Sequence, residues 1–312
     1  VVGGVAILAL LVWRVGTGPF LAGVRAVDAS ALLIATGIGV VVTVCCAWRW
    51  RLVAAGLGVD LPLSGAVAAY YRSQFLNTTL PGGVVGDVHR AVRHGSDIGD
   101  VGLGIRAVVL ERAAGQCVQI AIAAVLLLAV PSPVQSLLPM VVVIVLVSGG
   151  LLWLVARGLV RRASTRWRRG VRRIGVDIRD ALFTGPAGLW VALASVVVVG
   201  GHLATFLLAA RTAGATAPLS RLLPLGLLIL LAMALPLNIA GWGPREGAAA
   251  WAFAAAGLTA TLGIAVAVTY GVLVFVACTP GAVVLAARWL RGGSRAEWLG
   301  GPRAERLGGL RG

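Results

Sequence analysis

From Ser30 to Trp48, and again from Ala187 to Ala210, the chain carries no charged residue. Each run is about as long as a helix needs to cross a hydrocarbon core of ~30 Å. This restricts the fold more than any other feature, because backbone in lipid must satisfy its own hydrogen bonds. The rest of the 312 residues agrees: 59% are hydrophobic and 12% charged, against about 25% charged in a soluble domain. We read an all-α, polytopic membrane helix bundle. Its membrane domain covers residues 1–290, and residues 291–312 form a disordered Arg/Gly-rich tail.

Six stretches have the length and hydropathy of full spans: Val1–Trp13, Ser30–Trp48, Ile98–Val130, Val134–Ala156, Ala187–Ala210 and Leu262–Trp289. No cleavable signal peptide is visible, and the chain begins inside an apolar run. Two further apolar segments, Leu61–Leu80 and Leu222–Ala240, are resolved by charge. Nine arginines between Arg157 and Arg179 face only Asp177 and Asp180, which marks residues 157–180 as a cytoplasmic loop. Arg49, Arg51, His89, Arg90, Arg93 and the tail from Arg288 belong on the same side. That parity fails if Leu61–Leu80 crosses fully. It holds if Leu61–Leu80 and Leu222–Ala240 are re-entrant hairpins from opposite faces, giving about six full spans plus two opposed hairpins. In the basic loop, Trp167, Val171, Ile174 and Ile178 recur at helical spacing, as in an amphipathic helix lying on anionic headgroups.

Each hairpin ends in a Pro/Gly break followed by charges. The first is Pro81-Gly82-Gly83-Val84-Val85-Gly86-Asp87, leading to Arg90; the second is Gly241-Trp242-Gly243-Pro244-Arg245-Glu246-Gly247. Backbone that leaves the helix at membrane depth must be buried in protein or line a wet cavity. Paired breaks in the two halves of a chain point to a transporter-like site near the midplane.

Charges at membrane depth are expensive and face a cavity or a partner. Arg106, Glu111 and Arg112 lie in the third span. Glu111 and Arg112 stand about 100° apart on a helix, so they pair with other elements rather than with each other. Arg72 opens a polar run through Gln74, Asn77, Thr78 and Thr79 that is suited to a wet cleft. Asp87 and Arg90 are one helical turn apart, and Asp87 alternatively caps the helix it starts. The bland alternative for Glu111, Arg112, Arg245 and Glu246 is a structural lock between hairpin and helix. Alone in its apolar helix, His202 reads as a core residue. Arginines in a wet cleft suit a phosphate headgroup, which guanidinium binds as a fork, and glycine-turn N–H groups add to such a site.

Several classes fall away. All 27 basic residues are Arg, so there is neither a Schiff-base lysine nor a Walker A loop. Cys45, Cys46, Cys117 and Cys278 lack metal-ligand spacing. No cofactor and no metal is expected. The net charge of +16 follows the membrane flanks and carries no nucleic-acid motif.

Three motifs in order resemble the lysylphosphatidylglycerol synthase transmembrane region family, also described as flippase-like. They are Pro81-Gly82-Gly83-Val84-Val85-Gly86-Asp87-Val88-His89-Arg90, Glu111-Arg112-Ala113-Ala114-Gly115 and Gly241-Trp242-Gly243-Pro244-Arg245-Glu246-Gly247. The resemblance implies an integral protein of the bacterial inner membrane related to the flippase half of the multiple peptide resistance factor. That protein's soluble aminoacyl-transferase domain is not expected in this chain. Other relatives work beside glycosyltransferases, which makes polyprenyl-phosphate glycolipids a competing substrate.

The expected function is translocation of an anionic or aminoacylated phospholipid, or a polyprenyl-phosphate-linked glycolipid. The substrate-binding candidates are Arg72, Gln74, Asn77, Pro81, Gly82, Gly83, Gly86, Asp87, Arg90, Arg106, Glu111, Arg112, Gly241, Gly243, Arg245 and Glu246. The alternative is a non-catalytic scaffold or partner subunit of a separate lipid synthase or glycosyltransferase. A membrane enzyme is a third class, without a recognisable nucleophile or metal motif.

Overall fold

A computed structural model describes residues 2–129, 179, 186–233 and 243–290. Among these residues the regular structure is helical, with no strand. In chain order the helices are α1 (Val2–Val15), α2 (Gly18–Arg25), α3 (Ala29–Gly56), α4 (Leu63–Thr79), α5 (Val85–Asp97) and α6 (Val101–Ala129). The second half contributes α7 (Ala187–Thr212), α8 (Leu219–Met233), α9 (Pro244–Ala255), α10 (Ala260–Cys278) and α11 (Pro280–Leu290).

Four helical stretches are long and apolar enough to cross a membrane: α3, α6, α7 and the run Ala260–Ala287 through α10 into α11. Local chemistry sets their ends. Asp28 caps α3 by accepting the Ala31 N–H at 2.7 Å, and this bond, with the Ser30 hydroxyl, holds the Asp28 carboxyl below its ordinary range. Thr259 caps α10 through the Leu262 N–H at 3.1 Å. Past the end of α3, Gly58 takes a φ of 80°, a left-handed turn that favours glycine.

The first expected span does not stand alone. Its helix, α1, has 14 residues, about 21 Å at 1.5 Å per residue, which falls short of the hydrocarbon core. The chain then breaks at Gly16, with φ 81°, and resumes as the short α2, with Pro19 in its first turn. The expected span Val134–Ala156, the basic loop with its amphipathic helix, and the tail 291–312 lie outside the described residues.

Neither expected hairpin segment folds back on itself within the described residues: Leu63–Thr79 and Leu219–Met233 are each one continuous helix. Each hairpin is instead that helix paired with the short helix that follows it, packed on the long ones. In the first, α4 and α5 are 17 and 13 residues long and pack together against α3 and α6. In the second, α8 and α9 are 15 and 12 residues long and pack together, with α9 against α10 and α8 against α7. Residues 234–242, which include the candidate Gly241, lie outside the described residues.

The packing has the polarity a lipid solvent requires. Leu33, Val125, Leu128 and Leu189 point outward at 61–75% exposure, while Arg49, Arg90, Glu111, Arg245 and Glu246 are buried at 4% or less. A large apolar cluster joins α7 to α10 around Phe206, Leu225, Phe253 and Tyr270. A second cluster joins α3 to the first hairpin around Trp50 and Tyr70.

Candidate functional site

The first hairpin turns at Pro81-Gly82-Gly83. Gly82 and Gly83 take φ of 99° and 64°, the region only glycine enters without strain. Its two arms then come into backbone contact: a Cβ on Gly86 would stand 1.9 Å from the Ser73 carbonyl oxygen. Asn77 clamps the join, accepting the Gly86 N–H at 2.7 Å and donating to Asp87 at 3.1 Å. The helix cap is Val84. Asp87 therefore sits inside the first turn, and the cap role considered for it does not hold. Its carboxylate instead collects Ser73 at 3.0 Å, Arg90 at 3.1 Å and Arg112 at 2.8 Å.

Glu111 is the hub of this cluster and is fully buried. One carboxylate oxygen accepts Arg49 Nε at 2.9 Å, Arg49 Nη2 at 2.5 Å and the Tyr70 hydroxyl at 2.9 Å. The other accepts Arg90 at 3.0 Å. Arg49 also donates to Ser195 on α7 at 3.0 Å. The Arg90 guanidinium lies 4.6 Å from the Trp50 ring and 4.2 Å from the Tyr70 ring, so the aromatic faces supply attraction where its remaining N–H groups lack acceptors. Glu111 and Arg112 pair with other elements, as their helical offset predicts. Three arginines against two carboxylates leave one positive charge in surplus.

That surplus reaches a cavity of about 280 Å³ at the heart of the bundle. Thr43, Gly115, Val199 and Val274 stand near the midpoints of the four long helical stretches, and all four line it. It therefore sits at mid-height. Arg112 enters its wall with 43% of its side chain exposed. Both hairpins contribute their ends: Gln74, Asn77 and Thr78 from α4, Leu230 and Met233 from α8.

The second break makes a smaller lock. Gly243 has φ 110° and donates its N–H to Glu246 at 2.6 Å, while Arg245 donates to the other Glu246 oxygen at 2.6 and 2.8 Å. The Arg245 guanidinium lies against Gly271, where a Cβ would approach to 2.3 Å. Arg49 lies on Gly115 in the same way, at 2.6 Å. Each half thus fits a buried arginine into the space of a missing side chain on a long helix. Arg245 also stands 5.8 Å from the Tyr270 ring, whose hydroxyl meets His202 at 3.0 Å on the cavity wall.

The candidates sort into three groups. Gln74, Asn77 and Arg112 line the cavity. Behind its wall, Asp87, Arg90 and Glu111 hold Arg112 and Arg49 in place, Gly86 closes the hairpin, and Gly243, Arg245 and Glu246 form the second lock. Arg72 is buried on another face of α4, and Arg106 lies more than a turn before Glu111; neither lines the cavity. The polar run of α4 thus divides: Gln74, Asn77 and Thr78 face the cavity, while Arg72 and Thr79 do not.

The structure adds Arg49, Tyr70, Gln116, Gln119 and His202 to the wall. The periodicity of α6 counted from Arg112 would have found Gln116 and Gln119. Arg49 carried a different signal, since Trp48-Arg49-Trp50 continues an apolar run. Outside the long helices, His94 packs edge-on against Trp50 at 5.0 Å. Burial pushes its imidazole below the ordinary range, Asp97 opposing and Arg90 assisting. Among the described residues no three of His, Cys, Asp and Glu converge as metal ligands.

Comparison with curated proteins and with solved structures returns no match. The family model "Lysylphosphatidylglycerol synthase TM region" matches residues 1–281, a span that contains both hairpins, the Glu111 cluster and the central cavity. The chain is therefore a multi-pass membrane protein that belongs to the lysylphosphatidylglycerol synthase TM region family.

Proposed function

We propose that this chain is a lipid translocator of the cytoplasmic membrane, moving a lipid with an anionic headgroup between leaflets. The observation that carries the reading is the mid-height cavity with Arg112 in its wall. A guanidinium there is costly unless something compensates it, and the Asp87 carboxylate at 2.8 Å does so while leaving 43% of the side chain open. The remaining face suits a phosphate oxygen. At about 280 Å³ the cavity lies near the lower end of small-ligand sites, ~300–1,000 Å³. It accommodates a headgroup, and the acyl chains stay in lipid.

The hairpins supply the moving parts in this reading. Each is short and ends at the cavity, so tilting one or the other opens it to one leaflet at a time. The basic loop 157–180 and the C-terminal tail face the cytoplasm. The chain moves lipid and makes or breaks no bond in it; a separate synthase or glycosyltransferase supplies the substrate.

The test is trans-bilayer movement in proteoliposomes. Fluorescent phosphatidylglycerol, its lysyl ester and a polyprenyl phosphate are each followed with wild type, Arg112→Ala and Arg245→Ala. Movement of one class that is lost in the variants while they stay folded supports translocation. Folded protein that moves none of them contradicts it and directs attention to a scaffold role, tested by co-purification with a synthase.

A further inference from the structure

The walls of the cavity carry more information than the charge of Arg112. Among the described residues two arginines line it, Arg49 and Arg112, and no Asp or Glu does. The two carboxylates nearest by contact are spoken for: Glu111 holds Arg49, Arg90 and Tyr70, and Asp87 holds Arg90, Arg112, Ser73 and Asn77. A cationic group entering the cavity meets positive charge and no free anion.

Along α6, Arg112, Gln116 and Gln119 follow at i, i+4 and i+7, one stripe of the helix, with ~6 and ~10 Å of rise above Arg112. All three face the cavity. Among the described residues, no hydrogen bond engages the Gln116 or Gln119 side chain. Each offers an amide donor and an acceptor. Across the cavity, Gln74 is held by the Thr43 hydroxyl at 3.0 Å, which fixes its orientation. The wall therefore reads, in order, one guanidinium and two open amides.

We infer that the cavity selects a phosphodiester headgroup carrying uncharged hydroxyls, and discriminates against an aminoacylated headgroup. Arg112 takes the phosphate, and Gln116 and Gln119 take the hydroxyls beyond it. An aminoacyl ester brings an ammonium group that the wall cannot pair, and an unpaired charge out of water is strongly disfavoured. The selected chemistry has two sources, the glycerol of phosphatidylglycerol or the sugar of a polyprenyl phosphohexose. The inference rests on the translocator reading.

The experiment measures binding to the full chain in neutral detergent doped with one lipid at a time, read by native mass spectrometry. The lipids are phosphatidylglycerol, phosphatidic acid, lysylphosphatidylglycerol and a polyprenyl phosphohexose. A hydroxylated phosphodiester should bind about tenfold or more tighter than phosphatidic acid or the lysyl ester, and the tighter of the two hydroxylated lipids names the source. Gln116→Leu with Gln119→Leu should reduce that lipid to the level of phosphatidic acid and leave phosphatidic acid unchanged. Gln116→Glu, a near-isosteric change, supplies the missing carboxylate and should shift preference toward the lysyl ester, which keeps the test valid if the double variant does not fold. Lysyl ester binding as tightly as phosphatidylglycerol, or a preference untouched by the glutamine variants, overturns this inference alone. Binding of no anionic lipid overturns the translocator reading with it.

Discussion

Replacing Glu111 with Gln should destabilise the first half of the molecule by about 3 kcal/mol. The substitution keeps the shape of the side chain and one acceptor oxygen, and removes the charge. Glu111 is fully buried, and its partners Arg49 and Arg90 are exposed by only 5% and 1% along their side chains. Arg90 keeps Asp87 at 3.1 Å and the two aromatic faces. Arg49 keeps at most the neutral amide oxygen and the Ser195 hydroxyl at 3.0 Å. One buried guanidinium is thus left with no anion. Breaking a buried ion pair from one side costs about 3–5 kcal/mol, and we expect about 3 kcal/mol for Glu111→Gln and the upper end for Glu111→Ala. The assay is unfolding of the purified chain in mixed micelles of mild and denaturing detergent. Arg49→Met with Glu111→Gln should lose clearly less than the two single changes together, because the stranded charge is gone. A loss below about 1 kcal/mol for Glu111→Gln, or strict additivity of the pair, would refute the hub role.

Three further expectations use the same assay or simple extensions of it. Gly86→Ala should yield little folded protein, because its Cβ would meet backbone, the Ser73 carbonyl at 1.9 Å. Gly115→Ala should cost only about 1–3 kcal/mol, because its clash at 2.6 Å is with the far end of Arg49; equal yields for the two would contradict the distinction. Arg112→Ala, half-exposed at the cavity, should change stability by about 1 kcal/mol or less and abolish lipid binding, whereas an equal loss of fold and binding would make Arg112 a structural residue. His94 should titrate below 6.5 by imidazole NMR, since burial opposes its charged form. Its folded pKa lies below the unfolded value, so it favours folding fully above the unfolded pKa, and that contribution falls away as pH drops through 6.5 toward the folded pKa. A titration at or above 6.5 would contradict the packing against Trp50.

Much of this arrangement was legible in the residues. Charges at membrane depth must find partners, so Glu111, Arg112, Asp87 and Arg90 announced a cluster before any partner was known. Pro81-Gly82-Gly83 announced the turn, because only glycine takes the dihedrals that follow. The partner of Glu111 was hidden for a physical reason. Hydropathy ends the second span at Trp48, where charge begins, but the helix continues to Gly56, since its backbone bonds persist once Arg49 has an anion to face. Arg51, two residues on, is exposed, while Arg49 is buried; sequence alone does not tell these two arginines apart. Gln116 and Gln119 were legible from the α6 stripe that starts at Arg112, whereas His202 was hidden because the inner face of α7 depends on which helices surround it. Arg72 misled for the converse reason, since two residues along a helix is about 200° and sends it away from Gln74.

The central claim is that an anionic headgroup sits at mid-height against Arg112. Its most direct test is an electron cryo-microscopy map of the chain in nanodiscs of phosphatidylglycerol. The account predicts headgroup density within hydrogen-bond reach of Arg112 and bordered by Gln116 and Gln119, absent from the Arg112→Ala map. A cavity holding only acyl-chain density, or headgroups confined to the membrane surfaces in both maps, would contradict it.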